Sequence, residues 1–114
     1  MRARVIRNHP GEGQFPVFKK GTRVVMADDA ESGFLGWRAC DIEGYKTYAP
    51  EIFVCDGALT RDYDPTELVQ QAGDIIEVRE IVHAWLIATN EKGTMGWIPA
   101  EIVVSVDETT CDGV

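Results

Sequence analysis

Long apolar runs and paired cysteines are absent from this chain and histidine is scarce, and each shortage excludes a class of protein. No stretch of the 114 residues approaches the roughly 18 consecutive apolar residues of a membrane-spanning helix. The start, Met1-Arg2-Ala3-Arg4, leads into a strand-like segment without the apolar region of a secretion signal. A cytoplasmic protein without a membrane partner is therefore expected. The three cysteines, Cys40, Cys55 and Cys111, are odd in number and form no C-x-x-C pair, which speaks against a disulfide framework or a zinc site. They read as buried thiols. The two histidines, His9 and His83, stand in different halves, and neither has a Cys or Ser beside it in a catalytic arrangement. Nothing supplies a nucleophile with a base, a paired-carboxylate site or a phosphate-binding glycine loop, so no enzyme and no cofactor are expected. The stretch Asp28-Asp29-Ala30-Glu31 lacks the alternating ligand spacing of a calcium loop and reads as a solvated loop, leaving no metal site.

Charge is present in excess of one sign. The net charge is -8, divided as eight basic and seven acidic residues over 1–54 against three and twelve over 55–114. An acidic surface repels a phosphate backbone, which excludes nucleic acid as a partner, and attracts Lys or Arg. The same acids also serve solubility, and composition does not choose between the two roles.

No segment sustains helical periodicity over three turns, whereas short runs of Val, Ile, Trp and Tyr alternate with Gly-containing turns, an all-β pattern. In Asp74-Ile75-Ile76-Glu77-Val78-Arg79, Ile76 and Val78 share one face of a strand and Glu77 and Arg79 the other. Trp85 to Thr89, a turn at Asn90 to Gly93, and Thr94 to Ile98 form a hairpin that Pro99 ends. The first half runs the same course: Val24 and Met26 match Ile76 and Val78, and Trp37 to Ile42, Glu43-Gly44, Tyr45 to Ala49 and Pro50 follow in order. Arg7-Asn8-His9-Pro10 likewise parallels Arg61-Asp62-Tyr63-Asp64-Pro65. The chain thus reads as a repeat of about fifty residues, with domains at 1–54 and 58–106 and a polar tail at 107–114. Cys55-Asp56-Gly57 is the connector, too short for a free tether.

The second half resembles the Src-homology-3 family through Ala58-Leu59-Thr60-Arg61-Asp62-Tyr63, Ala72-Gly73-Asp74-Ile75-Ile76-Glu77-Val78, Trp85-Leu86-Ile87-Ala88 and Gly93-Thr94-Met95-Gly96-Trp97-Ile98-Pro99. The first half is similar to a bacterial variant of that fold, through Phe18-Lys19-Lys20-Gly21, Gly36-Trp37-Arg38-Ala39-Cys40 and Tyr48-Ala49-Pro50-Glu51. The span from Cys40 to Pro50 is one residue shorter than that from Ala88 to Pro99, a difference assigned to the distal turn. The resemblance implies two small five-stranded barrels in tandem.

It also implies a groove of aromatic rings that takes an extended, proline-rich peptide, since a polyproline II ligand is already ordered. Tyr63, Trp85 and Pro99 occupy groove positions of the second unit, while Thr60 or Arg61 and Ile102 stand where two family tyrosines are expected. Asp62, Asp64 and Glu67 match the acidic loop that pairs with a ligand Arg or Lys; as plain residues they are equally solvated turn carboxylates. For the first unit the positions are His9, Trp37, Pro50 and Phe53, with Arg7 beside them, a set that either meets a ligand carboxylate or is covered by packing. Trp97 and Tyr48 read as cross-strand packing. The leading expectation is a peptide- or protein-binding module. The alternative is a structural scaffold or homodimer whose grooves are consumed in packing.

Overall fold

The computed structural model of the protein describes residues 1–11, 14–31 and 36–106; the expected polar tail, with Cys111, lies outside them. The described residues are all-β, with ten strands and two single-turn 3-10 helices, Glu51–Phe53 and Ala100–Ile102. Among the described residues no helix is long and apolar enough to cross a membrane. The chain divides into two compact units, one formed by Met1–Gly13 with Glu67–Val114 and the other by Gln14–Thr66.

The first of these, unit 1, holds a five-stranded antiparallel sheet. Its strands are β1 (Arg2–Val5), β7 (Ile75–Val82), β8 (Trp85–Thr89), β9 (Met95–Pro99) and β10 (Val103–Ser105), in the order β10-β1-β7-β8-β9. Period-two alternation builds the core: Ala3 and Val5 of β1, Ile76 and Val78 of β7, Leu86 and Ala88 of β8, and Ile98 of β9 point inward. Leu68 and Ile102 close the cluster. Ile102 therefore belongs to the interior, although its place in the sequence suggested a groove position.

Unit 2 holds β2 (Val24–Glu31), β3 (Trp37–Ile42) and β4 (Tyr45–Pro50) as a three-stranded sheet, and β5 (Val54–Cys55) with β6 (Ala58–Leu59) as a short hairpin. Phe18, Val24, Ile42, Ala49, Phe53 and Leu59 are among its buried side chains. Asp28 to Glu31 continue strand β2, where the sequence reading placed a loop. The hydrogen-bonded ladders of the described residues close no barrel in either unit.

The two units run through the same element order, three strands, a 3-10 turn and a short strand. Their registers also agree, with Trp37 opposite Pro50 and Trp85 opposite Pro99. The one-residue difference lies in the distal turn, where two residues, Glu43 and Gly44, separate the paired Ile42 and Tyr45, while three, Glu91 to Gly93, separate Asn90 from Thr94, to whose carbonyl the Asn90 amide donates.

The unit boundaries differ from the expected 1–54 and 58–106. Strand β1 pairs with β10 and β7, so the entry segment of the first repeat lies on the strands of the second. The entry segment of the second repeat, β6, pairs with β5 of the first. The cause is local. Asp56 and Gly57 have φ of 52° and 74°, both left-handed, which is the backbone of a two-residue hairpin turn. What read as a connector between domains folds β6 straight back on β5.

The thiols are not alike. Cys40 is buried, and burial, reinforced by the neighbouring Asp41 charge, pushes its pKa up to about 11. Cys55 is exposed on the hairpin, contrary to the expectation that every thiol is buried.

Candidate functional site

Strand exchange redistributes the expected groove residues. Trp85 and Pro99 fall in unit 1, whereas Tyr63 falls in unit 2 with Trp37, Pro50 and Phe53. His9, expected beside Trp37, belongs instead to the unit that carries Trp85.

Alternation along β8 turns Leu86 and Ala88 into the core and leaves Trp85 on the opposite face, half-buried. Pro99 is its direct antiparallel neighbour but is buried beside the indole, so the expected groove proline is packed rather than presented. His9 reaches the same face. Its backbone pairs with Gln70 in both directions, at 2.8 and 3.0 Å, and its ring meets Trp85 edge-on with centroids 6.1 Å apart. The Nδ1 atom lies 2.7 Å from the Leu68 carbonyl oxygen, and Nε2 lies 3.1 Å from Glu67 Oε1. Both partners are acceptors. An imidazolium, with a proton on each nitrogen, satisfies both at once. The His9 and Glu67 side chains are only 11% and 21% exposed, so their attraction is screened less than that of a surface pair.

The segment that presents Glu67 and Leu68 is itself held. Glu67 bridges Trp97, and the Leu68 N–H donates to the Trp97 carbonyl at 2.8 Å. Gln70, a buried polar side chain, donates to Asp74 and accepts from Asn90, at 2.8 and 2.9 Å. Arg7 faces Glu101 at 3.7 Å across a well-exposed pair, so neither member of the expected Arg7 and His9 carboxylate receptor lacks an acid of its own unit.

In unit 2 the rings are interior. Tyr63 is 3% exposed, its hydroxyl donates to the Tyr48 carbonyl, and its ring stands edge-on to Phe53 at 5.6 Å. Phe53 and Trp37 are buried, as is Pro50. Arg61 stacks its guanidinium 4.3 Å above the Phe53 ring, and the Thr60 hydroxyl donates to the Phe53 carbonyl. Trp97 is buried opposite Ile87, as cross-strand packing requires, while Tyr48 pairs with Ala39 and is 46% exposed.

The acidic loop is not one cluster. Asp62 and Asp64 lie in unit 2 and Glu67 in unit 1. Asp62 accepts from the Lys20 amide at 2.8 Å and faces the Lys19 ammonium at 3.6 Å; these donors, the amide first, hold its carboxyl below the usual range. Asp64 caps the Thr66 amide at 3.0 Å in an Asx turn. Each of the three carboxylates thus has a partner within its own unit.

Sequence reasoning missed the grouping of His9, Glu67 and Trp85. The signal for it was the dipeptide Asp56-Gly57, the strongest short-range mark of a hairpin. No protein-family model, curated protein or solved structure matches the chain.

Proposed function

We propose that this chain is a non-enzymatic, cytoplasmic interaction module of two Src-homology-3-like units, which binds an extended segment of a protein partner on the unit 1 surface around Trp85 and His9, with Pro99 packed beside the indole. One observation carries the reading: Trp85 stands half-buried on the face of β8 that turns away from the core, against a proline and the edge of a second ring. An indole held rigidly in that position offers a large contact area at little cost in conformational entropy. The shared element order of the two units and the five strands of unit 1 support the family part of the proposal. Glu67 is the carboxylate of this surface placed to select a ligand Lys or Arg.

Selection from a peptide array with the purified chain identifies ligands, and Trp85→Ala then tests the surface. Removing the anchor costs at least about 30-fold in affinity with an unchanged unfolding midpoint, since anchors of this type contribute about 2 kcal/mol or more. Retained affinity for the same peptides overturns the reading.

A scaffold role is favoured for unit 2 by a different observation, the burial of Trp37, Pro50, Phe53 and Tyr63. On this reading that set is consumed in packing. Peptides selected by the whole chain then bind equally well to Phe53→Leu, and their binding maps by NMR shift perturbation to unit 1.

A further inference from the structure

We propose that His9 is a specificity-determining residue of the Trp85 surface: as imidazolium it occupies Glu67 and excludes a ligand cation, and as neutral imidazole it releases Glu67 to a Lys or Arg of the bound segment. The inference rests on the reading of that surface as a binding site.

The geometry argues for it atom by atom. With Nδ1 donating to the Leu68 carbonyl at 2.7 Å, the second proton sits on Nε2 and points at Glu67 Oε1, 3.1 Å away. Loss of that proton to solvent leaves Nδ1–H bonded as before. It also turns a lone pair of Nε2 toward a carboxylate oxygen, so that one acceptor faces another. Glu67 is then better served by an external donor, and its partial exposure leaves an approach open. The opposite state is closed to a cation, because the imidazolium has already neutralised the carboxylate. Among the contacts of His9, Glu67 and the Leu68 carbonyl come from one segment and the uncharged Trp85 from β8. Arg7, two residues before His9, faces Glu101, of opposite charge, at 3.7 Å. Switching of Glu67 therefore follows the proton on His9.

The probe is a synthetic peptide of proline and leucine ending in one arginine, compared with the same peptide carrying neutral citrulline, at pH 5.5 and 8.0. Affinity is read by tryptophan fluorescence or calorimetry. The wild type is expected to show little preference for arginine at pH 5.5 and roughly a tenfold or greater preference at pH 8.0, the worth of one charge-assisted hydrogen bond. His9→Gln shows the high preference at both pH values, and Glu67→Gln shows it at neither. A wild-type preference that is equal at both pH values and absent in Glu67→Gln overturns the switch while leaving the binding surface intact. Binding of both peptides that is unchanged in Trp85→Ala removes the surface and the switch together. A second measurement needs no ligand: the side-chain nitrogens of His9, followed by NMR, should report a doubly protonated ring at pH 5.5 that deprotonates at lower pH in Glu67→Gln. A neutral His9 ring at pH 5.5 in the wild type overturns the proposal.

Discussion

Asp62 shows how a side chain that reads as a receptor becomes a structural one. It is exposed, yet the Lys20 amide and the Lys19 ammonium stand at 2.8 and 3.6 Å, and its carboxyl is held below the ordinary 3.8. A carboxyl depressed in the folded state contributes stability above its unfolded value, and that contribution is lost as pH falls through the folded one. Asp62→Asn is therefore expected to lower the thermal midpoint slightly at pH 7, with the difference from wild type starting to shrink as pH falls through about 3.8 and vanishing only below the depressed folded value. Parallel melting curves from pH 7 to 2.5 check this; a gap undiminished at the acid end would mean that the residue acts through something besides its charge. His9 carries the complementary lesson. A lone histidine in a polar stretch gives no sequence signal of function, and its interest arises only from the two acceptors that the 67–70 segment places at its ring nitrogens.

At the scale of elements, the hairpin of β5 and β6 decides which strands belong together. Asp56 at φ 52° and Gly57 at φ 74° form its turn, and a Cβ added at Gly57 would meet only the Arg23 Nη2 atom, at 4.0 Å. Space is thus available there, and a substitution is penalised through the left-handed backbone. Gly57→Val is expected to destabilise the protein by about 1–2 kcal/mol, the cost of left-handed backbone for an L-residue with a Cβ. Urea denaturation measures it. An unchanged midpoint would show that this turn is not formed in solution. The distal turns were readable at this scale, because Glu43-Gly44 and Asn90 to Gly93 are local signals between clear apolar runs.

For the whole molecule, the strand exchange alters both the charge balance and the units of folding. Counted over the two units, five basic and ten acidic residues fall in unit 1 and six and nine in unit 2, so the steep asymmetry between sequence halves is levelled. Unit 2 is a continuous insertion whose ends are tied, since the Phe15 amide donates to Thr66 Oγ1 at 2.9 Å and the Thr66 hydroxyl donates to the Phe15 carbonyl. The fragment 14–66 is expected to fold alone, near the lower size limit for an independent domain. The fragment 1–54 lacks β6, the Tyr63 ring and the pairing of Phe18 with Tyr63, and is expected to stay unfolded. Dispersion of amide NMR signals in the two fragments separates the alternatives; a cooperatively folded 1–54 would refute the assignment of strands to units.

What the sequence determined by itself is local: strands from period-two alternation, turns from Gly-bearing corners, an order of elements run through twice, and inward faces at Ile76, Val78 and Val24. These follow from forces that act within a few residues. Tertiary structure decided which copy of the entry segment pairs with which strands, and hence that His9 meets both Glu67 and Trp85 while Tyr63 packs on Phe53. The two entry segments are alike enough that periodicity gives no preference between them. A two-residue turn at Asp56-Gly57 makes the choice, because a chain reversed in so few residues can pair only with the strand it has just left.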